Sequence, residues 1–259
     1  MMDTVPPLFG LVAAGAFGAI AGSFLNVVIH RVPLDSSIVW PSSACPHCRR
    51  ELAWYENIPV ASFLVLRARC RTCKAPISIR YPLVEALTSA FFVLAWWHYG
   101  PGALLASRLV FGCLLIVLFA IDLEHQLLPH VITIAGSVAG VLLSLLAEPG
   151  WVDSLLGVAV GGGILYGIAF AWERLRHQQA LGGGDPPMLA MIGAFLGWKM
   201  VLGTLMMASL LGTLLGVGLI AMRRASMASK LPFGCFLAVG AVVAATVGPQ
   251  LLAWYLGLF

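Results

Sequence analysis

The sequence predicts an all-α fold: a polytopic membrane bundle of about eight transmembrane helices with one small hydrophilic insert. Of its 259 residues, 60% are hydrophobic and only 10% are charged, and the mean hydropathy is +0.95. Soluble domains carry about 25% charged residues, so the composition excludes a soluble protein. The apolar segments are long and mostly uncharged, which favours membrane helices of about 20 residues over a β-barrel.

Eight apolar segments divide the chain into three predicted parts. These parts are a first transmembrane helix (1–30), a cytoplasmic insert (31–82) and a transmembrane bundle (83–259). A count of seven results if the segments around Gly197 and Lys199 merge. The predicted spans are residues 8–30, 83–100, 104–121, 131–148, 152–172, 187–198, 200–222 and 232–256.

The basic residues predict the orientation in the membrane. Eight spans place thirteen of the fifteen Lys and Arg residues on one side, in the insert and in two later loops. Cytoplasmic loops carry an excess of Lys and Arg, so this side is predicted to be cytoplasmic and both termini periplasmic. The protein is thus expected to be a multi-pass membrane protein with its insert on the cytoplasmic side. Because its positive charge serves topology, we expect no nucleic-acid partner.

The insert contains two CxxC pairs. Four thiolates from two such pairs can surround one zinc ion, as in zinc ribbons. A metal also suits an insert too small to build a large core, and the reducing cytoplasm disfavours disulfides. We therefore predict structural zinc, with a redox dithiol or disulfides as alternatives. The predicted ligands are Cys45, Cys48, Cys70 and Cys73.

Two carboxylates at the edges of apolar segments are the candidate catalytic residues. Asp122 and Asp185 both fall on the predicted cytoplasmic side, and a carboxylate in such a place usually lines a functional cavity. Two adjacent carboxyl groups share a proton, so one can activate water while the other acts as an acid. Glu124 and the glycines Gly182, Gly183 and Gly184 are expected to support this site. An alternative role for Asp185 is that of a helix N-cap before two prolines.

Several motifs together resemble the prepilin leader peptidase and N-methyltransferase family, whose members are GxGD membrane aspartyl proteases. The resemblance covers nearly the whole chain and is specific because the motifs occur in combination. They are the two CxxC pairs and the stretches 22–33 (GSFLNVVIHRVP), 54–59 (WYENIP), 77–85 (ISIRYPLVE), 120–123 (AIDL), 128–129 (LP), 182–185 (GGGD) and 189–198 (LAMIGAFLGW).

The resemblance implies cleavage of type IV prepilins or pseudopilins and methylation of the new amino terminus. Asp122 and Asp185 match the family's two catalytic aspartates, and S-adenosylmethionine would be the methyl donor. The donor site is not evident in the sequence, although Asn26, Arg31 and Glu85 are polar candidates near the insert, where helix-end anchoring is the alternative role. Pro187 departs from the family pattern, which has lysine at that position.

Two other classes of protein remain possible from the residues alone. One is a membrane scaffold of a pilus or secretion system that docks partners through the zinc insert. The other is a proton-coupled transporter, which would need further polar residues within the bundle. The basic insert is expected to hold anionic lipid headgroups at the membrane surface. The sequence identifies neither the particular pilin nor the oligomeric state.

Overall fold

The computed structural model describes residues 7–177, 182–222 and 231–257, and over these ranges the protein is all-helical with no named strand. The all-α membrane fold class is confirmed. Arg223, Arg224 and Lys230, which contribute to the predicted topology, lie outside the described residues. The helices are α1 (Pro7–Arg31), α2 (Ala61–Val65), α3 (Arg80–Tyr99), α4 (Ala103–His125), α5 (His130–Leu143), α6 (Trp151–Arg176), α7 (Asp185–Leu196), α8 (Trp198–Ala221), α9 (Phe233–Thr246) and α10 (Gly248–Leu256).

Each predicted apolar segment coincides with a helix. The prediction of one continuous helix for the last segment was wrong. The single span predicted for residues 232–256 is two helices, α9 and α10, bent by 64° at a short break. Gly248 and Pro249 begin α10, and proline cannot donate a backbone hydrogen bond within a continuing helix.

The span count is lower when length and composition are applied to the described helices. Four of these helices, α1, α4, α6 and α8, are long and apolar enough to cross a membrane, and the bent pair makes a fifth if it counts as one span. Helices α5 and α7 are apolar but have only 14 and 12 residues. The protein is therefore a multi-pass membrane protein.

The chain forms two compact units, residues 1–117 and residues 118–259. In the first unit, α1 packs closely against α3. A Cβ atom on Gly22 would lie 2.7 Å from the Cα of Glu85, and one on Gly18 would lie 2.8 Å from the Cα of Ser89. Small residues allow such backbone contact between membrane helices.

The second unit is built around α7, in which ten of the twelve residues are buried. Its backbone touches α6, because a Cβ atom on Gly157 would lie 2.2 Å from the carbonyl oxygen of Gly193. The Ser154 hydroxyl group donates a hydrogen bond to the carbonyl oxygen of Ala194 at 2.7 Å. This packing places the amino-terminal end of α7, with Asp185, inside the unit.

Candidate active site and metal centre

Asp122 lies inside α4, and its side chain is held by the amino-terminal turn of α9. The residue is only 5% exposed, and its Oδ2 accepts a hydrogen bond from the backbone N–H of Cys235 at 2.9 Å. A Cβ atom on Gly234 would lie 2.9 Å from the same oxygen, so the glycine permits this close approach. The positive end of a helix dipole stabilises a carboxylate there.

Asp185 is the first residue of α7 and is 6% exposed. The N-cap position belongs to Gly184, so the alternative role of Asp185 as N-cap is wrong. Pro186 and Pro187 fill the first turn, where no backbone N–H is required. The Asp185 Oδ2 instead accepts a hydrogen bond from the backbone N–H of Gly182 at 3.1 Å. The carboxylate therefore turns back onto the glycine loop.

The two carboxylates meet at one end of the second unit. Leu128 lies next to both carboxylate-bearing segments. A Cβ atom on Gly184 would lie 2.5 Å from the Cβ of Leu128, and a Cβ atom on Gly234 would lie 2.9 Å from the methyl carbons of Leu128. The start of α9, which holds Asp122, and the loop that precedes Asp185 therefore share this leucine as a neighbour. Both carboxylates are buried, and such pairs hold one proton between them more readily than two negative charges.

The three loop glycines have different surroundings. Gly182 donates to Asp185, and Gly184 packs tightly against Leu128. Among the described residues, no atom lies within 4 Å of the position that a Cβ atom on Gly183 would take. Glu124, the fourth predicted support residue, is exposed, with its Oε2 3.9 Å from the Nε2 of His125. The supporting roles of these residues stay predictions.

Sequence reasoning did not select Gly234 and Cys235, which lie closest to Asp122. A local signal exists, because Pro232 and Phe233 stand directly before an apolar run and mark the start of a helix. The partner of that helix start comes from α4, more than a hundred residues earlier in the chain. Spacing along the sequence cannot provide such a pairing.

The four predicted metal ligands form one cluster. Their Sγ atoms all lie within 4.8 Å of one another, with Cys45 to Cys73 at 3.8 Å and Cys48 to Cys70 at 4.0 Å. A tetrahedral zinc site with Zn–S bonds of about 2.3 Å requires sulfur atoms roughly 3.8 Å apart. The residues present therefore fit a single tetrahedral zinc ion.

The two halves of the cluster share one backbone pattern. Cys45 N–H donates to Arg50 and Arg49 N–H donates back to Cys45, at 2.9 and 2.8 Å. Cys70 N–H donates to Ala75 and Lys74 N–H donates back to Cys70, at 2.8 and 3.1 Å. Backbone N–H groups of Cys73 and Thr72 lower the pKa of the Cys70 thiol to about 6, which favours its thiolate, whereas burial and the neighbouring thiols raise the pKa of the Cys73 thiol to about 11.

An ion pair supports the same insert. Glu56 is buried, and its two carboxylate oxygens accept hydrogen bonds from Arg50 at 2.7 and 2.8 Å. One of these oxygens also accepts from the backbone N–H of Ala53 at 2.9 Å. The Arg50 guanidinium group lowers the pKa of Glu56. Glu56 was not selected from the sequence, where it is only part of the WYENIP stretch.

The three polar residues that the sequence marks near the insert, Asn26, Arg31 and Glu85, differ in their surroundings. Arg31 donates to the carbonyl oxygens of Ser37 at 2.9 Å and Pro41 at 2.7 Å, so it anchors the chain where it leaves α1. Asn26 and Glu85 are instead buried between α1 and α3, only 3% and 8% exposed.

Comparisons with known proteins agree with this architecture. Residues 16–99 match the Bacterial Peptidase A24 N-terminal domain, and residues 109–217 match the Type IV leader peptidase family. A prepilin leader peptidase/N-methyltransferase from Myxococcus xanthus is 47% identical, covering 83% of this chain and 65% of the relative. Relatives of the same name from Aeromonas hydrophila and Klebsiella pneumoniae are 36% and 42% identical, over 94% and 74% of this chain and 92% and 87% of their own lengths. No solved structure matches the chain.

Proposed function

Since the chain belongs to the type IV leader peptidase family, we propose that it removes the leader from type IV prepilins or pseudopilins and methylates the new amino terminus. The observation that carries the peptidase assignment is the buried pair Asp122 and Asp185. The printed names of the relatives support both activities. A scaffold role is not favoured, because docking through the insert would leave this buried pair without a purpose.

In the proposed cleavage, the two carboxylates divide the work of acid and base. The Cys235 N–H and the amino-terminal end of α9 stabilise the negative charge of Asp122, which suits it to take a proton from the attacking water. Asp185 then holds the shared proton and gives it to the peptide carbonyl oxygen. After the tetrahedral intermediate forms, the proton taken by Asp122 goes to the leaving amine as the carbon–nitrogen bond breaks, and the new carboxyl group returns one proton to Asp185.

The glycine loop is the proposed place where the substrate backbone lies. Among the described residues, none comes within 4 Å of the place where a Cβ atom on Gly183 would stand, so an extended chain can approach the loop beside Asp185. Pro187 cannot provide the positive charge that the family pattern has at that position. We therefore expect substrate positioning to depend on backbone contacts with this loop more than on charge.

The proposed cofactors have different roles. Cys45, Cys48, Cys70 and Cys73 would hold a structural zinc ion, for which their sulfur spacing is suitable. S-adenosylmethionine would supply the methyl group. Because this donor carries a positive sulfonium, its site needs acceptor groups.

We place the insert and the two aspartates on the cytoplasmic side, with both termini periplasmic. This orientation follows from the distribution of Lys and Arg. The same basic residues would hold anionic lipid headgroups at the membrane surface. Exposed aromatic and aliphatic side chains of the insert, Trp40, Trp54 and Val65, are suited to that surface.

Mass spectrometry of a co-expressed prepilin tests the proposed function. The wild type should yield a shortened pilin carrying one additional methyl group. Asp122→Asn and Asp185→Asn should leave the leader attached while zinc content and membrane insertion stay unchanged, and Asp153→Asn, an acid elsewhere in the second unit, should cleave normally. Leader removal by both active-site variants would rule out the aspartic mechanism and favour the scaffold alternative.

A further inference from the structure

The first unit contains a buried carboxylate without a cation. Glu85 is 8% exposed, and its partners are the backbone N–H of Val60, at 2.8 Å, and the hydroxyl group of Ser23. The ion pairs of the described residues do not include it. A buried charge is costly unless it is paired, so a cation that reaches Glu85 would stabilise its ionised form.

A second buried acceptor lies one helical turn from Ser23. Asn26 is 3% exposed and donates its amide N–H to the carbonyl oxygen of Tyr81 at 3.0 Å. Its Oδ1 is buried and has no hydrogen-bond partner. Tyr81 precedes Glu85 by one turn of α3, so the unused oxygen and the carboxylate line the same contact between α1 and α3.

The chain segment over this contact is strained. Val60 adopts φ +61° and ψ −48°, a conformation that β-branched residues rarely take. Its N–H is the group that donates to Glu85. Strain of this kind costs about 1–3 kcal/mol and persists mainly at functional sites. Three separate features therefore point to this one place.

We propose that Ser23, Asn26 and Glu85 bind a cationic amine, the new α-amino group of the cleaved pilin, and that Glu85 takes the proton this amine must lose before methylation. The inference rests on the proposed function and gives its second reaction a site. The cluster offers one unsatisfied acceptor atom, the Oδ1 of Asn26, and the Glu85 carboxylate, which together suit the N–H groups of an ammonium ion. An α-amino group is largely protonated at neutral pH and cannot act as a nucleophile in that form.

The proposed step balances in atoms and charge. The ammonium group transfers one proton to the Glu85 carboxylate, and the nitrogen lone pair attacks the methyl carbon of the sulfonium donor. A nitrogen–carbon bond forms while the carbon–sulfur bond breaks, and the sulfur keeps the electron pair as a neutral thioether. Glu85 then releases its proton to water.

Peptide binding provides a test that does not depend on methyl transfer. The full-length protein in detergent is titrated with a synthetic peptide of the cleaved pilin, with its amino terminus free or acetylated. The wild type should bind the free amine at least about tenfold more tightly, as a charge-assisted hydrogen bond provides. Glu85→Gln should lose this preference, while Glu51→Gln, an exposed acid in the same unit, should keep it. An unchanged preference in Glu85→Gln would overturn the proposal.

Activity measurements distinguish a role of Glu85 in proton transfer from a purely structural role. Glu85→Gln should remove leaders normally but methylate about 100-fold more slowly, the scale of a lost general base. Glu85→Asp should restore part of this rate. If Glu85→Gln instead melts at a lower temperature and loses leader removal as well, the residue is structural and the proposal fails.

Binding of S-adenosylhomocysteine, the molecule that remains when the donor has lost its methyl group, tests whether the bound amine belongs to the pilin or to the donor. Its affinity should be the same in the wild type and in Glu85→Gln. A selective loss of S-adenosylhomocysteine binding would assign the cluster to the donor's own amino group and overturn the assignment to the pilin. A wild type that prefers the free amine but never methylates would contradict the proposed function and leave the amine site standing.

Discussion

The insert and the helix α7 are stabilised in opposite ways. Within residues 32–79, all of which are described, the buried residues are Cys45, Glu56 and Cys70, so this region has no apolar core. In α7, ten of twelve residues are buried, and its backbone touches α6 directly. The comparison teaches that the insert depends on a few specific bonds, whereas the second unit depends on the close fit of small side chains.

Loss of the proposed zinc ion should have the largest effect on stability, and this effect should be confined to the insert. Structural zinc contributes an apparent free energy of about 10–16 kcal/mol in small domains, and the insert has no core to replace it. Cys45→Ser should lower the zinc content and make the insert sensitive to trypsin. Cys113→Ser, which changes a cysteine outside the cluster, should keep both properties. An insert that resists trypsin without zinc would show that another interaction stabilises it.

Tight packing should dominate in the second unit. In Gly157→Ala, the added methyl group would lie 2.2 Å from the Gly193 carbonyl oxygen, so α6 and α7 must separate. Such overpacking costs about 1–3 kcal/mol, and we expect the melting temperature of the detergent-solubilised protein to fall. Gly163→Ala in the same helix meets nothing within 4 Å and should be neutral or slightly stabilising. Equal melting temperatures for both variants would contradict the role of this helix contact.

Loss of the ion pair between Arg50 and Glu56 should lower stability least among these changes. Arg50 lowers the pKa of Glu56, so the pair stabilises the folded insert in the ionised state. This contribution is fully present above the pKa that Glu56 has in the unfolded chain, and it is lost as the pH falls through the lower folded value. Glu56→Gln should lower the unfolding midpoint of the insert by roughly 5 °C at neutral pH.

Unfolding followed by tryptophan fluorescence as a function of pH measures this effect. The difference between the wild type and Glu56→Gln should shrink in acid, whereas Glu51→Gln should follow the wild type. A difference that stays constant from neutral to acidic pH would mean that the charge of Glu56 is not what stabilises the insert.

The sequence was sufficient for features that depend on local pattern. Apolar length predicted the helices, and the CxxC spacing predicted a cluster whose sulfur atoms do lie together. The carboxylates Asp122 and Asp185 were selected because charge is rare in such a chain. Both are buried in the second unit, and the cytoplasmic orientation of this site stays a prediction.

Features that depend on long-range packing were not predicted. The Cys235 N–H reaches Asp122 only because the start of α9 lies beside the carboxyl-terminal end of α4, and Gly234 makes room for that contact. The break between α9 and α10 was also missed, since the apolar pattern continues across it. Likewise, Glu85 is an ordinary polar residue near the start of a helix until α1 and the Val60 turn enclose it.

The central claim is that Asp122 and Asp185 act as a single unit, and a double-mutant cycle of cleavage rates tests it most directly. Purified wild type, Asp122→Asn, Asp185→Asn and the double variant are compared on one prepilin. Each single change should lower the rate by at least about 1,000-fold, and the double variant should be no slower, because groups that act together are not additive. Independent, multiplicative losses, or a single variant close to the wild-type rate, would contradict a shared-proton pair.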